Sequence, residues 1–366
     1  MKTIPLCNTK MNKSITINGK EIGTNKPVYV IAELSANHNQ NLDRAYRIID
    51  EAHKAGADAI KIQTYTADTL TIDCDREDFL VKEGTLWAGR TLYDLYKEAY
   101  TPWDWQPKLK EYAEKLGMDL FSTAYDETSV DFLEELDVPA YKIASFELID
   151  IPLLKKIAKL NKPMIMSTGM ATFEEIEDAV NAVKSEGNEQ IVLLKCTSAY
   201  PAPPEEANLN TIPDMIKRFQ CPIGLSDHSL DPNVPLTAVK LGACVVEKHF
   251  TLSRNDKGPD SAFSLEPEEL TAMIKDIRSN ELGELDEVIL GEVRYGPSKN
   301  EKSSIQFRRS LYAIEDITEG EEFTNKNVRP IRPGNGLPPK EIYNLIGKKA
   351  SENIERGVAL SWEMIE

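Results

Sequence analysis

The 366-residue chain holds only four histidines, and two of them, His228 in "GLSDHS" and His249 in "VVEKHFT", sit at the ends of apolar runs. Two imidazoles side by side are a poor closed zinc site, which takes four ligands. They suit an open site for a divalent cation that keeps positions free for water and substrate oxygens. Four lysines, Lys61, Lys142, Lys195 and Lys248, lie within other apolar runs. A lysine in such a place must meet an anion or give up its charge. The hydroxyls of Thr123, Ser145, Ser167 and Ser226 occupy comparable positions and add neutral donors. The pattern predicts a cradle for a small anion bearing both phosphate and carboxylate, next to a divalent metal.

These residues need a scaffold that brings them together. Eight short β-rich runs precede residue 252: "VYVIAEL" (28–34), "AIKIQTY" (59–65), "DLFSTAY" (119–125), "AYKIASF" (140–146), "MIMSTG" (164–169), "IVLLKCT" (191–197), "PIGLSD" (222–227) and "VVEKHFT" (245–251). Amphipathic helical stretches such as "NLDRAYRIIDEAHKAGA" alternate with them. That count and size predict a (β/α)8 TIM barrel, whose active site lies at the C-terminal ends of the strands. A doubly wound sheet is the alternative, but it does not need eight regular units. Reading the ends in order gives Glu33, then Lys61 and Gln63, then Thr123. Lys142, Ser145 and Glu147 follow, then Ser167, Tyr200 beyond the sixth strand, and the Ser226–His228 and His249 pairs. His53 reads as an ordinary surface histidine, and His38 could go either way. Asp260 lies in a Gly/Pro turn, where an aspartate is often just a turn residue.

Residues 66–118 form a long connection rich in aromatics, "LWAGRTLYDLYKEAYTPWDWQ", which is too apolar for disorder and reads as an ordered insertion. It either shapes the barrel mouth or packs outside it. After residue 280 the texture changes. "AIEDITEGEEFTNKNV" and "ASENIERGVALSWEMI" repeat at an offset that pairs Ala313 with Ala350 and Ile317 with Ile354. Two copies suit a small pseudo-twofold β domain. The predicted division is a barrel over 1–285, a linker over 286–305 and a small domain over 306–366.

The formal charge of −17 disfavours nucleic acid and anionic membrane surfaces as partners. No apolar run is long enough to span a bilayer, and the first residues lack the apolar segment of a secretory signal. Five cysteines without CxxC spacing favour free thiols and a cytoplasmic location.

The motifs "IAELSANH", "GADAIKIQTY", "YKIASFE", "STGMAT", "KCTSAYP", "GLSDHS", "EKHFTL" and "RPGNGL" together resemble the sialic acid synthase family, over nearly the whole chain. The resemblance implies a TIM barrel followed by an SAF (antifreeze-like) β-clip domain. It implies a transferase that condenses phosphoenolpyruvate with an amino-sugar aldehyde. It places phosphoenolpyruvate on Lys61, Thr123, Lys142, Ser145, Ser167 and Ser226. It places manganese or magnesium on His228 and His249. Glu33 falls at the reacting centre, where it or Glu147 would assist water. Gln63, Tyr200, Asp260 and Phe307 fall on the sugar, and Arg332 would reach it from the small domain of a partner subunit in a domain-swapped homodimer. The insertion and Ser261 are similar to the subgroup that takes a diacetamido-trideoxy-altrose, the alternative being a manno-configured amino sugar. Ser198 stands where neuraminate-forming members tend to carry Asn, so the resemblance gives it no role. Two other classes stay open on the residues alone: a different phosphoenolpyruvate or aldol enzyme on the same barrel, and a non-catalytic sugar-binding protein.

Overall fold

The computed structural model describes residues 14–366, so Cys7 lies outside the described residues. The eight expected runs form β3 (Tyr29–Glu33), β4 (Ala59–Thr64), β5 (Asp119–Ala124), β6 (Tyr141–Ile143), β7 (Met164–Ser167), β8 (Ile191–Cys196), β9 (Ile223–Asp227) and β10 (Val245–His249). They close in sequence order into one parallel barrel, with β10 beside β3. Nearly every residue of these strands is buried, because helices cover the outside and side chains fill the inside. Register sets the chemistry at one height: His249 pairs with Glu33, Glu33 with Lys61, and Thr123 with Lys142.

The covering helices start and stop where local chemistry directs. Helix Leu42–Ala55 begins with Asn41 accepting from the Arg44 amide and ends at Gly56, whose φ of 89° suits a residue without a Cβ. Its Ala45, Ile48, Ile49 and Ala52 bury one face against the barrel. Thr172 and Glu175 form a reciprocal cap on helix Phe173–Ser185.

A hairpin, β1 (Ile15–Ile17) and β2 (Lys20–Ile22), precedes the barrel and was not expected. Its turn is Asn18-Gly19, with φ of 44° and 78°, the pair that a two-residue hairpin favours. Ile15, Ile17 and Ile22 join the barrel core. Lys20 and Asn18 reach Asp119, at the start of β5, at 3.0 and 2.8 Å. The hairpin therefore sits on the face opposite the site.

The insertion is ordered, with helices Ala67–Leu70, Leu92–Ala99 and Gln106–Lys115. Its Leu70, Leu95 and Tyr96 are buried over the mouth. The chain between 287 and 307 runs along the barrel, its Gly296 amide donating to Ala171 O at 2.8 Å. It then enters the small domain, where β11 (Ser310–Ala313) pairs with β12 (Val328–Ile331). The two repeat copies meet at equivalent residues, since the amides and carbonyls of Ile317 and Ile354 exchange two 2.8 Å hydrogen bonds. This domain docks on its own barrel: Tyr312 and Ile331 pack on Ile72 and Phe79, and Arg308 grips Glu175 at 2.8 Å.

Candidate active site

Lys61 and Lys142 point into the barrel mouth from β4 and β6. Lys61 Nζ lies 2.6 Å from Glu33 Oε2 and 3.2 Å from Glu247 Oε1. Lys142 Nζ lies 3.3 Å from the same Glu247 oxygen and donates to Ser167 Oγ at 2.8 Å. Thr123 Oγ1 is 3.4 Å from Lys61, and Ser226 Oγ donates to Glu247 at 3.2 Å. All of these side chains are buried. Ser145 Oγ is 2.7 Å from Ser198 Oγ. Both pack against Gly169, where an added Cβ would fall 2.5 Å from Ser198 Oγ. The expected anion residues are thus brought together. Ser198, to which the resemblance assigns no role, is fully buried and holds the Ser145 hydroxyl.

Electrostatics divides the four charged groups. Burial raises the pKa of Glu33, and the neighbouring lysine only partly offsets it. Burial works against the charge of Glu247 as well, but Lys142 and Lys61 outweigh it and its pKa is lowered. Burial lowers the pKa of Lys142. For Lys61 the same burial is outweighed by Glu247 and Glu33, which hold it charged. Glu33 therefore differs from Glu247 in the direction of its shift, although both contact Lys61.

Two of the four lysines singled out in the sequence do not face this site. Lys195 alternates with the inward Cys196, and its Nζ donates to Cys196 O at 2.9 Å and lies 3.5 Å from Thr197 Oγ1. Lys248 alternates with the inward Glu247 and His249 and pairs with Asp227 at 2.7 Å. The residue missed was Glu247. Its signal was its spacing, since a side chain two positions before His249 shares its face.

His228 and His249 lie with ring centroids 5.3 Å apart. His228 Nδ1 donates to Thr197 O at 2.8 Å, which leaves Nε2 as the nitrogen with a free lone pair. Burial pushes the His228 pKa down to about 4 and that of His249 well below its ordinary value, so both rings are neutral. Nδ1 of His249 is buried with no partner among the described residues. Neutral, partly unpartnered imidazoles lining an open pocket fit a divalent ion that keeps positions for substrate. Among the described residues no cluster of three or more His, Cys, Asp or Glu suits a closed metal site. The other two histidines are elsewhere: His38 is buried against Trp105 and accepts from the Gln40 amide at 3.0 Å, and His53 is exposed.

Above this floor the cavity encloses about 850 Å³, its open mouth included. Gln63 Nε2 donates to Glu33 Oε1 at 3.0 Å and to Ser35 Oγ at 2.9 Å. Asp260 accepts from Ser35 Oγ and from the Ala36 amide, so it is more than a turn residue. Burial raises its pKa. Tyr200 packs on His228 with centroids 4.4 Å apart and the rings tilted by 40°. Phe307 meets Trp87 of the insertion and Phe146, each at 5.7 Å. Trp87 Nε1 donates to Pro259 O at 3.0 Å, tying the insertion to the Asp260 loop. Ser261 is buried and uses its hydroxyl on the Gly258 amide at 2.8 Å. Any effect it has on specificity passes through the loop that carries Asp260.

Arg332 closes the cavity. Its Nη2 lies 2.7 Å from Glu147 Oε1 and its Nη1 is 3.2 Å from the Tyr96 hydroxyl. In the structure this arginine comes from the same chain, whereas the sequence reading had it come from a partner. The physical reason is the path of residues 287–307, which follow the barrel wall and return over the same mouth. Its Glu147 partner is therefore engaged with the guanidinium, while Glu33 is engaged with Lys61 and Gln63.

An eight-stranded barrel with paired lysines and imidazoles at its mouth, capped by a small β domain, defines a class of barrel enzymes that handle small anions. The sequence pattern of the NeuB family matches residues 48–286, that of the SAF domain matches residues 308–366, and the chain belongs to the NeuB family. It is 46% identical to a pseudaminic acid synthase of Campylobacter jejuni, over 92% of this chain and 96% of that one. It is 37% identical to an N,N'-diacetyllegionaminic acid synthase of Legionella pneumophila, over 97% of this chain and 100% of that one. The solved structure of spore coat polysaccharide biosynthesis protein spsE from Bacillus subtilis superposes with a TM-score of 0.84 at 34% identity, covering 97% and 99% of the two chains.

Proposed function

We propose that this chain condenses phosphoenolpyruvate with a 2,4-diacetamido-2,4,6-trideoxy-altrose and water, giving pseudaminic acid and phosphate. One observation carries it: two buried lysines share Glu247 beneath a pocket whose wall holds two neutral imidazoles. The higher identity to the pseudaminic than to the legionaminic acid synthase supports the choice of sugar.

Lys61 and Lys142, with Thr123, Ser145, Ser167 and Ser226, hold the phosphate and carboxylate of phosphoenolpyruvate. Gln63, Tyr200, Asp260, Phe307 and Arg332 orient the sugar with its aldehyde toward the two histidines. His228 and His249 would hold a manganese or magnesium ion, which would supply Lewis-acid polarisation to the aldehyde. The enol carbon of phosphoenolpyruvate attacks the aldehyde carbon, whose π pair moves to the aldehyde oxygen, and water adds to the cationic C2 that results; the proton that water releases balances the one the aldehyde oxygen takes up as it becomes a hydroxyl. Glu33, held beside Lys61 and Gln63 at the ends of β3 and β4, takes the proton from that water. The tetrahedral adduct then expels phosphate by C–O cleavage, its leaving charge met by the lysines.

Phosphate release with manganese, compared across this sugar, its manno-configured isomer and N-acetylmannosamine, tests the reading. Turnover confined to a manno sugar overturns the choice of substrate and keeps the chemistry. Buried free thiols at Cys196, Cys221 and Cys244 support a cytoplasmic setting. A homodimer that exchanges small domains would use the same Arg332 on a neighbouring barrel. Mixing Arg332→Ala chains with Lys142→Ala chains regains activity if domains are exchanged, and does not if each barrel uses its own.

A further inference from the structure

Glu301 is a buried carboxylate, 3% exposed, that takes no part in the steps above. It sits outside the cavity, in the segment that joins the two domains, near the start of the short helix Asn300–Phe307. Its Oε2 reaches back to the Ser298 amide at 2.8 Å, as the glutamate of an S-x-x-E capping box does. Its Oε1 makes a contact that no helix start requires. It accepts from the Ser198 amide at 2.6 Å, across 103 positions of chain. A hydrogen bond to an ionised acceptor is about twice as strong as one between neutral groups, so this amide is firmly placed.

That amide belongs to the Thr197–Ser198 peptide, which is gripped on both sides. Its carbonyl, Thr197 O, accepts from His228 Nδ1 at 2.8 Å. The peptide is planar and conjugated, and linked hydrogen bonds polarise one another. A carboxylate on the N–H therefore makes the carbonyl a stronger acceptor for the imidazole. Ser198 carries a second arm, its Oγ lying 2.7 Å from Ser145 Oγ. Both serines pack against Gly169, where they already occupy the space a Cβ would take. With so little slack, a shift of the Ser198 backbone displaces the Ser145 hydroxyl. Glu206 braces the same joint. Its carboxylate accepts from Ser298 Oγ at 2.6 Å and from Asn300 Nδ2 at 2.8 Å, and its own carbonyl accepts from Thr197 Oγ1 at 3.2 Å. The joining segment is thereby held against the loop after β8, and Glu301 carries that contact to the wall of the site.

We propose that Glu301 is a positioning residue for the condensation: by fixing the Thr197–Ser198 peptide it orients His228 on one side and the Ser145 hydroxyl on the other. This rests on the phosphoenolpyruvate reading above.

Glu301→Gln tests it, because glutamine keeps the volume and one acceptor but sets an NH2 group against the other amide. Thermal unfolding first establishes that the variant is folded. Should it not fold, Glu301→Asp, which keeps the charge on a shorter stem, takes its place in the same measurements. The first needs no turnover. In proton NMR of the full chain with magnesium, the Nδ1 proton of His228 should move upfield and exchange faster with solvent than in wild type. The second is kinetic. KM for phosphoenolpyruvate is expected to rise about 10-fold, with KM for the sugar within about twofold. Ser198→Ala keeps the amide but cuts the link to Ser145, so in that background Glu301→Gln should add less than about twofold. An unmoved His228 proton, or equal rises in the two KM values, overturns the proposal, since a merely structural contact would loosen the site evenly. A wild type that releases no phosphate from phosphoenolpyruvate overturns the function proposed above instead, and the proton measurement still decides whether Glu301 acts on His228.

Discussion

Arg332 and Glu147 are joined by two hydrogen bonds, Nη2 at 2.7 Å and Nε at 3.2 Å, both to Oε1 of the carboxylate. The pair couples the small domain to the barrel and fixes the guanidinium above the pocket. Arg332→Lys keeps the charge but loses the planar fork. We expect it to raise KM for the sugar by about 10-fold while KM for phosphoenolpyruvate stays constant. Glu147→Ala strands a buried cation and should cost about 3–5 kcal/mol of stability. Denaturant unfolding measures that loss. A Glu147→Ala chain as stable as wild type would mean that the pair does not hold the domain.

The inward and outward lysines give a second contrast. Lys142→Ala removes a charge-assisted bond to the anion and should raise KM for phosphoenolpyruvate by about 10- to 100-fold. Lys195→Met fills the same volume on the outer side of β8 and should leave that KM within about twofold. Equal effects from the two variants would contradict the facing of Lys195.

These lysines also show how far the sequence could be read. Eight apolar runs at regular intervals revealed the barrel, because each strand must be apolar throughout. Alternation shows which residues share a face, but not which face points inward. Alternation therefore groups Lys61 with Gln63, and both line the pocket, but it does not tell Lys248 from the inward Glu247 of the same run. The Asn18-Gly19 hairpin carried a clear turn signal but flanked strands of only three residues each, too short for periodicity to speak. The Arg332–Glu147 pair spans 185 positions and depends on how two domains dock, which no local pattern encodes. His228 and His249 were legible for the opposite reason: each ends a strand, and β9 and β10 are adjacent.

The two imidazoles predict a metal requirement. Treatment with a chelator should abolish phosphate release, and manganese or magnesium should restore it. His249→Ala should lower turnover by about 10³-fold with no recovery on adding metal. Its circular dichroism should match wild type, because the buried Nδ1 of His249 has no partner among the described residues and its backbone bond to Leu265 is kept. Full activity of the wild type after exhaustive chelation would remove the metal from the reaction.

Acid sensitivity should be traceable to His38. Burial, aided by the Arg44 charge, pushes its pKa down to about 4. The folded ring is neutral, since its Nδ1 accepts from the Gln40 amide. Between an unfolded value near 6.5 and the folded value of about 4, the unfolded chain binds the extra proton. Stability must therefore rise with pH across that window and fall on acidification. The shift corresponds to about 3 kcal/mol, present in full above pH 6.5 and lost as pH falls toward 4. His38→Asn removes this titration and keeps an acceptor near the Gln40 amide. Urea unfolding of both chains at pH 8, 6.5 and 5 should show a shallower decline for the variant. Parallel declines would place the acid sensitivity in other groups.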